Sequence, residues 1–426
     1  MARPHLADLH AQAAELGVEG YRKLRRTELV RAIEDAGGSV SAPEAEPEPE
    51  SDEAVVEGTV LDDEAGAPAE VDAEGARSDD APTEEVLGVV EVLPQRYGFI
   101  RLRALTADPD DVYISASQVR RCELRPGDVV AGPAREPRRG ERHRALVHVD
   151  QVNGEEPLAS ARPDFDALAP VLPERRIALD ADPGDTLARA VDLLTPLALG
   201  QRVLVRAAPR SGRTTLLRSV ARAVSGTDGV VAIVLLIDER PEEATAWQEA
   251  APDAQFAIAT ADQAPADQVR LAGLALERAR RIAESGGDAV LIVDSLSRLA
   301  YVDGGVEQVK HLFGSGRNLT GGGSLTAVGT VFSDGDDEGE AERAVITTES
   351  SLIVLNPELA AAGVYPAIDV SASRLSNEDQ LRSPDELEAV RRLRDSLAGL
   401  DARGAADALR ERIDGATSNA ELLRGV

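Results

Sequence analysis

The chain has 426 residues and a formal net charge of -30 at pH 7, enough length for two or three domains with a large core. Aromatic residues make up only 3%, so the core must be built mainly from Val, Leu, Ile and Ala. The single cysteine, Cys122, excludes a disulfide framework within the chain and fits a reducing, cytoplasmic setting.

The excess of acid argues at first sight against a nucleic-acid partner. Its distribution weakens that argument, because residues 44–85 carry roughly half of it and hold one basic residue, Arg77. The longest apolar run, GVVAIVLLI (229–237), is too short to span a bilayer, and the N-terminus lacks the apolar core of a signal peptide.

In chain order, Leu6, Leu9, Ala13 and Leu16 repeat at helical spacing up to Gly17. The stretch LRRTELVRAIEDAG then supplies a second amphipathic helix that Thr27 is placed to cap. Residues 1–37 are therefore expected to form a small helical domain. Residues 38–85, rich in Pro, Glu, Asp, Ala and Gly, read as an acidic disordered linker. Over 86–155, VLGVVEVLPQRYGFIRL, DDVYISASQVRR, LRPGDVVAGPAR and RHRALVHVDQVN alternate like strands between turn signals. Short strands at this spacing predict a small barrel of the OB or cold-shock kind. From 156 to 426 strand and helix alternate, with RVLVRA, VVAIVLLID, QFAIAT, AVLIVD, SLTAVGTVF and SSLIVL as strands. Runs apolar on both faces predict a parallel sheet covered by helices, followed by a helical C-terminus.

The loop AAPRSGRT (207–214) has the strand-to-helix context of a phosphate-binding loop. Pro209, Arg210, Ser211, Gly212, Arg213, Thr214 and Thr215 would cradle phosphates on backbone N–H groups. An ordinary strand-to-helix turn is the alternative, since the usual first glycine and the lysine are both absent. Asp238 and Glu239 end one apolar strand and Asp294 another, at the sheet edge where ligands bind. As single residues each could equally cap a helix.

The segments LLIDERPEEATAWQE, LIVDSLSRLA, GGSLTAVGT and VYPAIDV resemble the ATPase core of the transcription termination factor Rho family. RYGFIRL with DDVYISASQVRRCELRPGD and GERHRALVHVDQVN resembles that family's RNA-binding barrel, and the N-terminal helices resemble its small N-domain. The resemblance implies a RecA-like P-loop ATPase domain behind an OB-type barrel, with ATP and Mg2+ as cofactors. It implies an RNA-dependent helicase that binds nascent single-stranded RNA, moves along it and releases transcripts from the RNA polymerase elongation complex. A homohexamer, or a mixed ring with another Rho, is the implied assembly.

Residue by residue, Glu239 matches the carboxylate that polarises the attacking water, and Thr214 and Asp294 match the metal-site positions. Tyr365 matches the aromatic that stacks on adenine. Tyr97, Phe99, Arg101, Tyr113, Glu141 and Arg142 match RNA-contacting positions, with barrel core as the alternative for the first two.

Four departures from the family pattern bear on activity. Arg213 stands where the family has the phosphate-loop lysine. An expected arginine finger is Gly363, and a second reads Ser376, with Arg374 two residues earlier as a substitute. The loop after SRLA is shortened, and SDGDDEGEAER (333–343) is acidic where the family's RNA-pulling loop carries a lysine; a solvated hairpin tip would look the same. The linker is acidic instead of basic. These departures put turnover in doubt. They raise the alternative of a hydrolysis-impaired paralogue that binds RNA and nucleotide and modulates a working ring. A rotary or export-type ATPase of the same core fold is a third reading.

Overall fold

The computed structural model describes residues 82–158, 161–334 and 337–426, together with Ala36. The helical domain expected over 1–37 and the acidic segment as far as residue 81 lie outside the described residues.

Strand β1 (Thr83–Val92) begins inside the segment read as linker, because Thr83, Glu84 and Glu85 pair through their backbones with Arg135, Ala134 and Pro133. Main-chain pairing extends the strand past the point where its apolar pattern starts. The barrel continues through β2 (Gly98–Arg101), β3 (Val112–Ile114), β4 (Val129–Arg135), β5 (Ala145–Leu146) and β6 (Gln151–Val152). The strand order is β1-β2-β3-β5-β4, and β4 pairs back onto β1, which closes the barrel. Val90, Ile100, Val112, Ile114 and Val130 fill its interior. Alternation then places Phe99 and Tyr113, directly opposite each other in the β2–β3 ladder, on the outer face. Gly98 lets β1 and β2 approach, since a Cβ there would lie 2.2 Å from the Glu91 carbonyl oxygen.

The larger sheet is built from β7 (Pro170–Val171), β8 (Arg202–Ala207), β9 (Val230–Glu239), β10 (Gln255–Thr260), β11 (Asp288–Asp294) and β12 (Arg317–Leu319). It is completed by β13 (Ser324–Asp334), β14 (Asp337–Glu338), β15 (Ser351–Leu355) and β16 (Arg374–Leu375). Its spine runs β10-β9-β11-β13-β8-β15, all parallel, with β16 antiparallel on β15. The two-sided apolar runs cover both faces. Val203, Val205, Val234, Leu236, Val290 and Ile292 pack on the side of helices Thr186–Leu194 and Arg213–Ser225. Leu204, Ile233, Leu235, Leu291 and Val293 pack on the side of helix Pro265–Glu284. Each such side chain contributes roughly 1.5–3 kcal/mol when fully buried. Helices Pro384–Leu397, Ala402–Asp414 and Asn419–Arg424 form the C-terminus and close on the first face through Leu393, Leu409, Ile413 and Leu422.

Barrel and sheet are joined by main-chain and ionic contacts. The Leu105 N–H donates to the Phe256 carbonyl at 2.8 Å. The Thr106 hydroxyl accepts from the Ile258 N–H at 2.8 Å and donates to the Ile258 carbonyl at 3.1 Å. This covers the exposed edge of β10, which would otherwise be open to pairing with another chain. Arg125 pairs with Glu284 at 2.8 Å across the same junction. Gly127, at φ 84°, lies so close to helix Pro265–Glu284 that a Cβ would sit 2.5 Å from the Arg278 nitrogen.

Candidate nucleotide and RNA sites

The loop after β8 ends at Gly212, which takes φ 96° and gives helix Arg213–Ser225 its N-terminus without a side-chain cap. No side chain competes for the first helical N–H groups, so they are available to an anion. Ser211 is buried and closes the loop by donating its hydroxyl to the Ala208 carbonyl at 2.7 Å. Pro209, Arg210, Gly212 and Thr215 are exposed around it.

The carboxylates arrive from the neighbouring strands. Asp238 adopts φ 53°, and the register of β9 on β10 shifts there, so that Ile237 faces Ala259 and Glu239 faces Thr260. This bulge re-aims the chain. Asp238 is left exposed and Glu239 is turned into the protein. Asp294, at the end of β11, is 0% exposed.

Around Asp294 the structure gathers Arg213, Thr214, Glu239, Arg298 and Phe332. The Arg213 Nε lies 2.9 Å from Asp294 Oδ1. This is an ion pair without hydrogen-bond alignment, since that Nε has no hydrogen-bond partner. Thr214 donates its hydroxyl to Asp294 Oδ2 at 3.4 Å, and Thr330 donates to Oδ1 at the same distance. Arg298 donates from Nη1 to Glu239 Oε2 at 2.8 Å and to the Ile237 carbonyl at 3.2 Å. Both guanidinium carbons lie over the Phe332 ring, Arg213 at 4.4 Å and Arg298 at 5.9 Å from its centroid. Burial pushes the Asp294 carboxyl up and the Arg213 guanidinium down, and each partner's charge works against that shift. Arg298 and Phe332 were not singled out from the sequence, although both stand in quoted segments. Arg298 lies four residues after Asp294, on helix Leu296–Ala300, and Phe332 stands two residues before the end of β13.

A magnesium ion at Thr214 and Asp294 does not fit this arrangement. Both oxygens of Asp294 are engaged, one by a guanidinium that already supplies positive charge. Magnesium takes only one or two protein ligands beside waters and substrate phosphates, so what opposes it here is the guanidinium held on Asp294.

Tyr365 is 49% exposed. It lines a cavity of about 250 Å³ with Leu187, Arg210, Ser211, Gly212 and Val364, which sets its ring beside the phosphate loop. Another cavity, of about 300 Å³, lies at the barrel junction around Glu91, Pro126, Arg270 and Gln308, away from this chemistry.

The arginine positions fall as follows. Gly363 follows helix Pro357–Ala361 at φ 74°, and the Val364 N–H donates back to the Leu359 carbonyl at 2.9 Å. It is a left-handed helix terminator, a conformation an arginine would adopt only with strain. Arg374 lies outside the Asp294 cluster, on β16, with its side chain 61% exposed and paired to Glu349 at 2.8 Å. In the acidic segment 333–343, Ser333 and Asp334 pair with Glu338 and Asp337, and a helix follows at Glu340–Val345. The reading of this whole segment as a solvated tip is corrected at Glu342, which is fully buried and ion-paired to Arg206 of β8.

On the barrel, Tyr97, Phe99 and Tyr113 form one cluster, with ring centroids 5.6–6.1 Å apart. His143 joins it edge-on to Phe99 at 5.0 Å. All four rings are half-buried. His143 was missed because nothing in RHRALVHVDQVN marks which of its histidines reaches β2. Arg142 is exposed beside the cluster. Two expected contacts are placed differently. Arg101 was expected to touch RNA, but its side chain is 6% exposed, and it donates from Nε to Glu91 at 2.8 Å and from Nη1 to Asp111 at 2.5 Å. Alternation puts Arg101 on the same face as Phe99, and its guanidinium carbon lies 5.5 Å from that ring's centroid, but at this end of β2 the face is covered by Glu91 and Asp111, with Arg270 also paired to Glu91. Glu141 accepts two hydrogen bonds from Arg135, at 2.6 and 2.8 Å, and one from the Arg138 N–H. Its carboxyl is held down to about 2 chiefly by the Arg135 hydrogen bonds.

Comparison with known proteins agrees with this geometry. Residues 86–158 match the model of the Rho termination factor RNA-binding domain, 3–37 that of the Rho termination factor N-terminal domain, and 188–307 that of the ATP synthase alpha/beta family nucleotide-binding domain. A transcription termination factor Rho of Mycobacterium leprae is 36% identical over 82% of this chain and 61% of its own. That of Streptomyces lividans is 36% identical over 79% of this chain and 51% of its own. That of Aquifex aeolicus is 34% identical over 80% of this chain and 84% of its own. The chain thus spans between half and two thirds of the first two relatives. A solved ATPase from the type III secretion system of pathogenic bacteria shares the fold, with a TM-score of 0.50 and 20% identity, covering 64% of this chain and 93% of that one. Closed barrel, parallel nucleotide-binding sheet and relatives point the same way, and the chain belongs to the transcription termination factor Rho family.

Proposed function

We propose that this chain binds nascent single-stranded RNA on the Tyr97–Phe99–Tyr113 face of its barrel and ATP at the loop after β8, and acts in transcription termination. The observation that carries the reading is the pairing of those two surfaces in one chain. Half-buried rings in a cluster offer stacking faces for successive bases, each worth about 1–3 kcal/mol and tolerant of sequence. An uncapped helix N-terminus beside Tyr365 offers phosphate and base contacts at the sheet edge. In the family reading, hydrolysis activated by Glu239 drives translocation along RNA and frees transcripts from the RNA polymerase elongation complex. The assembly is a homohexamer or a mixed ring with another Rho, and Arg374 serves a neighbouring subunit's site.

One observation favours a second reading of the hydrolytic step. The Arg213 guanidinium lies against Asp294 and Phe332. Phosphoryl transfer depends on positioning. A planar cation fixed in this way does not reproduce the mobile point charge of a lysine. The chain then binds RNA and nucleotide with slow turnover and modulates a ring built with a fully active Rho. The test is transcript release from stalled elongation complexes, with this protein alone and mixed with an active Rho. Release by this protein alone supports the family reading. Altered release only in the mixture supports the modulator. No effect in either, with no RNA bound, refutes both.

A further inference from the structure

The nucleotide site is closed in charge before any ligand enters. Asp294 meets Arg213 at 2.9 Å, and Glu239 meets Arg298 at 2.8 Å, so each buried carboxylate already holds a guanidinium. The two guanidiniums share one ring, Phe332, with their carbons 4.4 and 5.9 Å from its centroid. A divalent cation at Asp294 would have to expel Arg213 or face its charge across a site screened from water. Arg213 is also the first residue of the helix whose uncapped N-terminus would receive an anion, so its charge lies where phosphates would enter. Its ion pair uses Nε, and the two Nη nitrogens are the donors that suit phosphate oxygens in pairs.

We propose that Arg213 stands in for the divalent cation at this site, so that a nucleoside triphosphate binds here without a metal ion. This deepens the nucleotide-binding reading and rests on it. The role follows from an arginine in place of a lysine together with where its side chain lies.

The test is titration of the full chain with a fluorescent ribose-labelled ATP, once in excess EDTA and once in excess magnesium chloride. For the unmodified protein the two dissociation constants are expected to agree within about twofold, and Arg213→Lys is expected to bind about tenfold tighter with magnesium than without it. Binding by the unmodified protein that is about tenfold or more tighter with magnesium overturns the proposal and leaves the nucleotide site standing. Binding in neither buffer overturns the nucleotide reading itself, and the proposal with it. Equal metal independence in Arg213→Lys overturns the assignment to Arg213. If that variant does not fold, the unmodified protein in the two buffers still decides.

Discussion

Replacing Arg101 by methionine separates two roles that the sequence leaves superimposed, an RNA contact and an internal clamp. The substitution keeps the apolar stem and removes the charge. In the structure that charge is shared by Glu91 and Asp111, both buried. Stripping one partner from a buried ion pair costs about 3–5 kcal/mol. Two features set the cost at the lower end. Glu91 keeps Arg270, and Asp111 keeps the N–H groups of Asp108 at 2.7 Å and Leu102 at 3.3 Å. We therefore expect a loss of about 3 kcal/mol, read as a shifted urea unfolding midpoint. RNA affinity, measured below the transition at several salt concentrations, should keep its salt slope, because the Arg101 charge is already taken up by Glu91 and Asp111. Arg142→Ala, at an exposed position, should flatten that slope by about 0.7. The reasoning fails if Arg101→Met leaves stability within about 0.5 kcal/mol and flattens the salt slope instead.

Phe99→Ala should weaken RNA binding by about 1–3 kcal/mol in filter binding while leaving nucleotide affinity unchanged. Gly127→Ala places a Cβ 2.5 Å from the backbone of the facing helix at φ 84°, and should lower stability by about 1–3 kcal/mol in urea unfolding. Glu141 has a folded pKa of about 2 against an ordinary 4.5, so its contribution is complete above pH 4.5 and is lost as pH falls from 4.5 towards 2. Comparing Glu141→Gln with the unmodified protein across that window should show the difference vanishing at the acid end. Glu239→Gln should abolish whatever ATP hydrolysis the protein shows without weakening its binding of labelled ATP.

Much of the fold was legible because its signals are local. Apolar runs such as VVAIVLLID fit a strand covered on both faces, and β9 follows that run. The strand-to-helix turn after β8 was legible from its context, a strand ending in small residues and a helix opening at Arg213. What escaped were features set by tertiary packing. Arg101 reads as a surface cation until the barrel closes and the core helix brings Arg270 to Glu91. Glu342 reads as one more acid in a solvated loop until β8 presents Arg206. Glu239 and Asp238 stand as two acids at one strand end, told apart in the sequence only by the family resemblance, and a one-residue bulge turns the first in and leaves the second outside. His143 and Phe332 join their clusters through contacts across distant segments, which no spacing in the chain encodes.

We propose, as the second reading above has it, that this member of the Rho family binds both RNA and ATP but turns ATP over slowly, with Arg213 held against Asp294. It is tested most directly by steady-state ATP hydrolysis, with and without a pyrimidine-rich RNA, in the unmodified protein and in Arg213→Lys. The expected result is weak turnover despite bound RNA and nucleotide, and a clear rise in Arg213→Lys. Strong RNA-stimulated hydrolysis by the unmodified protein, equal to or faster than that of Arg213→Lys, would contradict it.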